Sequence, residues 1–115
     1  MKRMKMVNAL EANGMQNPHG VKVARLYDTT DAQVMHITLE PGESLKKHIT
    51  PVDVFFYVLE GTGVVEIGEE KMEVSRDFLV ESPKDIPHAW SNESDKRFRV
   101  LVVKTPRQAA STKFL

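Results

Sequence analysis

The chain has 115 residues, enough for one domain to bury a core without a disulfide or a structural metal as a staple. It contains no cysteine, which excludes thiol catalysis, iron–sulfur clusters and cysteine-ligated zinc and suits a reducing compartment. Lys plus Arg balance Asp plus Glu at 16 each with the signs interspersed, so neither a nucleic-acid footprint nor a polybasic membrane patch is present, and a small molecule is the expected partner. The amino terminus is basic but runs into Glu11, Asn13 and Gly14 instead of an apolar stretch, and nowhere do about 18 apolar residues run together. The expectation is a soluble, cytoplasmic protein.

Residues 1–20 are polar and Met-rich, with Asn13-Gly14 and Asn17-Pro18-His19-Gly20 as breakers; they read as an arm or lid. Residues 21–105 carry the strand signals. Val21 to Tyr27 alternates, Asp28 to Asp31 turns, and Gln33 to Glu40 forms a second strand with Val34, His36 and Thr38 on one face and Met35, Ile37 and Leu39 on the other. Pro41-Gly42 is a turn that leads to His48, followed by a strand at Val54 to Leu59 bounded by Gly61-Thr62-Gly63. Val64 to Ile67 and Lys71 to Val74 make a hairpin with a three-residue loop. Phe78 to Glu81, His88 to Ser91 and Arg97 to Lys104 complete the set, and residues 106–115 form a tail that is a weak helix or disorder. No amphipathic helix of ten or more residues is present, and the short, closely spaced strands predict an all-β sandwich or barrel.

Two spacings within this all-β pattern carry a resemblance. Gly42, His48, Thr50, Val54 and Gly61 fall in register with G-x5-H-x-H-x3-4-E-x6-G, and Asp77, Pro83, Asp85, His88 and Asn92 with G-x5-P-x-G-x2-H-x3-N. On these motifs the chain resembles the cupin superfamily, which implies a double-stranded β-helix, or jelly-roll barrel, with a site inside it. The resemblance further implies a divalent metal ion (Fe, Mn, Ni or Zn) held by side chains at positions 48, 50, 54 and 88. Only His48 and His88 of these can ligate strongly, since Thr50 offers a neutral hydroxyl and Val54 nothing. His36, on an adjacent strand by the family topology, is the candidate third metal ligand. Asp53 is one residue out of phase with Val54. Asp77 and Asp85 stand where the motif has glycine, and Asp tolerates the left-handed conformation better than most residues.

Around this centre Thr50, Val54, Lys46, Phe56 and Trp90 are the candidate ligand-binding residues. Lys46 shares parity with His48 and would meet a carboxylate or phosphate at the mouth, while Trp90, two residues past His88, would supply an aromatic wall. Three readings of function follow. The first is a barrel that binds a small organic ligand with a divalent metal on an incomplete two-His site, with dioxygenase, isomerase or decarboxylase chemistry. The second is a metal-free acid–base enzyme of epimerase type, with His48 or His88 as base and Tyr57, Asp53 or Asp85 as acid, although the parity of Tyr57 points it outward. The third is a non-catalytic binding or interaction barrel, for which the apolar Val54 speaks. Both faces of the central strand are apolar, Val54, Phe56 and Val58 on one side and Phe55, Tyr57 and Leu59 on the other, so a homodimer packed sheet to sheet is expected.

Overall fold

A computed structural model of the chain describes residues 3–115, so the first two residues of the expected arm lie outside the described residues. Among the described residues there are ten strands: β1 (Lys22–Asp28), β2 (Gln33–Leu39), β3 (Ser44–Ile49), β4 (Asp53–Glu60), β5 (Thr62–Ile67), β6 (Glu70–Ser75), β7 (Leu79–Ser82), β8 (His88–Ser91), β9 (Phe98–Thr105) and β10 (Lys113–Phe114). They form two antiparallel five-stranded sheets, β1-β2-β9-β4-β7 and β10-β3-β8-β5-β6. Described residues include no helix long and apolar enough to cross a membrane.

The core lies between the sheets and follows the period of two. Val54, Phe56 and Val58 from β4 and Val100 and Val102 from β9 are buried, and Phe98 and Trp90 stack with centroids 5.2 Å apart. Ile37 and Val102 belong to this core and Met35 packs against it, and all three also line an open volume. Two glycines hold the chain against Phe98. Gly61 has φ +81°, and a Cβ there would lie 2.3 Å from the Arg97 carbonyl oxygen; a Cβ on Gly63 would strike the Phe98 ring at 2.6 Å. Asp77 and Asp85 adopt φ of 76° and 66°, the left-handed backbone anticipated for them.

Three features differ from the sequence expectation. The β5–β6 hairpin pairs Ile67 with Glu70, leaving a two-residue loop with Gly68 at φ +61°, as a type II′ turn requires, in place of a three-residue loop. Residues 113–114 of the tail form a strand paired with β3, neither helix nor disorder. The strand β3 was concealed because a bulge between Leu45 and His48 breaks its alternation. In the arm, Asn8 caps a turn through Glu11 and Ala12, and Met15 bridges to Val23.

Candidate functional site

The bulge in β3 creates the site. It leaves two residues between Leu45 and His48 in place of one, so both side chains face the lumen while Lys46 and Lys47 turn outward. Lys46 therefore does not reach the cavity mouth as parity predicted; it lines an outer groove with Ser44 and Trp90. Its backbone does the positioning, because the broken ladder frees both peptide groups. The Lys46 N–H donates to His19 Nδ1 at 3.0 Å and the Lys46 carbonyl accepts from His48 Nδ1.

His48 and His88 face each other directly across the β3–β8 ladder, with their Nε2 atoms 3.0 Å apart and their rings edge to face at 4.4 Å. A carbonyl can only accept, so His48 Nδ1 carries the proton and its Nε2 is an acceptor. His88 Nε2 must then donate to it, which leaves His88 Nδ1 to accept from the Ser82 hydroxyl at 2.7 Å. The result is a directional chain from Ser82 through His88 and His48 to the Lys46 carbonyl. The Thr50 hydroxyl sits 3.2 Å from His88 Nε2 and shares the same point.

Burial keeps these imidazoles neutral. His88 is pushed down to about 3, first by desolvation and then by the charges of His48, Lys104 and His19. His19 falls to about 4 through burial and then its neighbours His48 and Lys46. His48 is lowered by burial, partly opposed by its bond to the Lys46 carbonyl.

The histidines open onto a cavity of about 370 Å³. Its walls are mostly apolar, with Met35, Ile37, Phe56 and Val102 from the barrel and Phe114 from the tail. Phe56 stands edge to face with His88 at 5.3 Å. Both chain ends close the mouth: Asn17, Pro18 and His19 on one side, Ser111, Thr112 and Phe114 on the other. The His19 and His48 rings are 5.0 Å apart, and Phe114 lies 5.6 Å from His48. Among the described residues no Asp or Glu lines this space, and Lys104 is its one lysine.

Thus Thr50 and Phe56 join His48 and His88 in the lumen, and the other candidates do not. Val54 is core and borders a shallow outer cleft. Trp90 is 1% exposed and packed between Phe56 and Phe98, a core residue and not a cavity wall. His36 lies on the other side of β2 from Met35 and Ile37, fully buried on the outer face, where Arg99 donates to its Nε2 at 3.0 Å. Asp53 accepts from the Lys84 N–H outside the barrel, and Tyr57 donates to Asp77 at the surface. Ser82 and Lys104 were not singled out, and His19 was read as a loop residue that a lid could bring over the mouth. Lys104 was legible from phase alone, since Val100 and Val102 point inward on the same strand; His19 was not, because its place depends on a contact with β3 across 27 residues.

The divalent metal implied by the resemblance does not fit the residues present. Three imidazoles line the lumen, but His48 and His88 are hydrogen-bonded to each other and His19 accepts from the Lys46 N–H through Nδ1; they meet a hydroxyl and no carboxylate, with a lysine ammonium lining the same space. Among the described residues no group of three or more His, Asp or Glu side chains is arranged to hold a metal ion.

Comparison with known proteins agrees with this architecture. Over 72 residues the chain is 32% identical to the tetracenomycin polyketide synthase protein TcmJ of Streptomyces glaucescens, a match covering 62% of this chain and 48% of that protein, so the chain spans about half the length of this curated relative. The polyketide cyclase RemF from Streptomyces resistomycificus superimposes with a TM-score of 0.84 at 19% identity, over 98% of this chain and 86% of that one. The TT1209 protein from Thermus thermophilus does so with a TM-score of 0.76 at 27% identity, over 89% and 98%. The cupin domain family matches residues 35–104, more than half of the sequence and the part that carries both motif histidines, and the chain belongs to the cupin superfamily.

Proposed function

We propose that this cupin binds a small oxygenated organic molecule in its lumen and moves a proton on it with the His48–His88 pair, without a resident metal. The observation that carries this is the directional chain Ser82–His88–His48, which leaves one imidazole nitrogen as acceptor and its neighbour as donor at a single point in an apolar cavity. A ketone that enters between the rings meets both functions. His48 Nε2 takes a proton from the carbon next to the carbonyl, the C–H electron pair moves into the enolate, and the growing charge on oxygen is met by His88 Nε2–H. Thr50 helps to hold that oxygen.

The substrate class is a polyketide-type aromatic or poly-carbonyl compound, as supported by the names of TcmJ and RemF and by the Met35, Ile37, Phe56 and Phe114 walls. The test is exchange of the C2 protons of α-tetralone in deuterated water, followed by NMR. The full chain should accelerate exchange, and His48→Gln and His88→Gln should each lower the rate about 100-fold or more. Binding of the ketone without any acceleration would sink the catalytic reading and leave a non-catalytic binding barrel.

The cysteine-free composition supports a cytoplasmic setting. A homodimer is supported by the outer face of β4, where Phe55 pairs with Val103 and Tyr57 with Leu101 in one half-buried apolar strip. Sedimentation at micromolar concentration should give twice the chain mass; a monomer would refute it.

A further inference from the structure

We propose that Lys104 is the anion anchor of this barrel, so that the ligand is a monoanion, a carboxylate or an enolate, whose charge pairs with Nζ where metal-binding members of the fold would place a divalent cation. The inference rests on the reading of the lumen as a ligand site and names the class of ligand. Lys104 lies on β9 opposite Val54, in the same inward phase as Val100 and Val102. Position 54 is where the family motif carries a carboxylate, so the chain has exchanged an acid for a valine and faces it with a lysine across the ladder.

A partly buried ammonium needs a counter-charge, and Lys104 has none. Among the described residues it forms no ion pair; its one side-chain partner is the neutral Gln108 Oε1 at 2.8 Å. Nζ has three donors, so two remain for a ligand. Among the described residues the only other ionisable side chains lining the cavity are His19, His48 and His88, so these residues give the lumen positive charge and no negative charge. Burial lowers the Lys104 pKa, and the charge of Lys104 in turn depresses His48 and His88, which places it in electrical contact with the imidazole pair. An anion bound there relieves the desolvation of the ammonium, whereas a divalent cation would aggravate it.

The test is calorimetric titration of the full chain at pH 7 with 2-naphthoate and with 2-naphthamide, which share shape and differ in charge. The acid should bind at least about tenfold more tightly than the amide, and Lys104→Gln should weaken the acid alone by about 10- to 100-fold while Lys104→Arg retains it. The near-ultraviolet circular dichroism of Trp90 reports whether each variant is folded, and the acid–amide comparison in the unmodified chain decides the matter even if Lys104→Gln is not. Equal binding of the two probes, or a preference for the acid that survives in Lys104→Gln, overturns the proposal while leaving the lumen a ligand site. Binding of naphthoate that disappears with a chelator and returns with zinc overturns it too, since the charge would then come from a metal. If neither probe binds, the underlying reading of the lumen fails along with the anchor.

Discussion

His36 and His88 are both buried, both depressed in pKa and both hydrogen-bonded, yet they sit on opposite faces of the barrel wall and have different chemistry. His36 is 0% exposed and held to about 4, first by burial and then by Arg99, Lys22 and Arg97. Its Nε2 accepts from Arg99, whose Nε donates to Glu60 at 2.7 Å, and Glu60 also takes two bonds from Arg97. Arg99, Glu60 and the His36 Nε2 are committed to one another, while the buried His36 Nδ1 has no hydrogen-bond partner among the described residues. His88 reaches a similar degree of burial with a second imidazole as partner and an open apolar volume beside it. Burial and a shifted titration therefore do not distinguish a structural histidine from a chemical one. What distinguishes them is whether the hydrogen-bonded group borders a space that a ligand can fill.

Acid is the strongest way to break this comparison, because it acts on both faces together. His88 at about 3, and His36 and His19 at about 4, lie below the 6.5 of an unfolded imidazole. Between those values the unfolded chain binds more protons than the folded one, so stability rises with pH. It should be complete above about pH 6.5 and decline progressively toward pH 3, read as a falling urea midpoint. His36→Asn and His88→Asn should each flatten that slope. A profile unchanged between pH 7 and 4 would show that the imidazoles are hydrated in solution.

A smaller effect separates the two faces. Replacing His36 by Leu leaves Arg99 Nη1 without its acceptor and should cost about 1–3 kcal/mol in urea unfolding. The affinity of the lumen for 2-naphthoate should stay within a factor of about two, since nothing in the outer network enters the cavity. A large loss of affinity in that variant would mean that the two faces are coupled through β2.

The sheet framework was legible because most strands keep a strict alternation. Val54, Phe56 and Val58, or Val100 and Val102, announce their inward face by composition. The motif spacing then carried His48 and His88 to the same place without further help. Lys46 was misassigned because one bulged residue reverses the phase of everything before it, and a bulge leaves no mark in the sequence of β3 beyond the Lys46-Lys47 pair. Trp90 was misassigned for a different reason: its inward direction was right, but the depth of the core was not, since Phe98 rather than the cavity lies against its ring. Parity gives direction, and depth comes only from what packs opposite.

The entrance is built outside the matched domain. The family match ends at residue 104, and the residues that rim the mouth, Asn17 to His19 with Ser111, Thr112 and Phe114, all lie outside it. On the carboxy-terminal side the rim hangs on a two-residue strand and on Gln108, which takes the bond from Lys104 and gives its own to the Ala110 carbonyl and to Thr112. A ligand that draws Lys104 toward itself competes for the bond that anchors this flap. Admission and retention are thereby linked: the segment that rims the mouth also supplies Phe114 to the cavity wall and holds Lys104 through Gln108, so changes in it should alter both the rate of entry and the strength of binding.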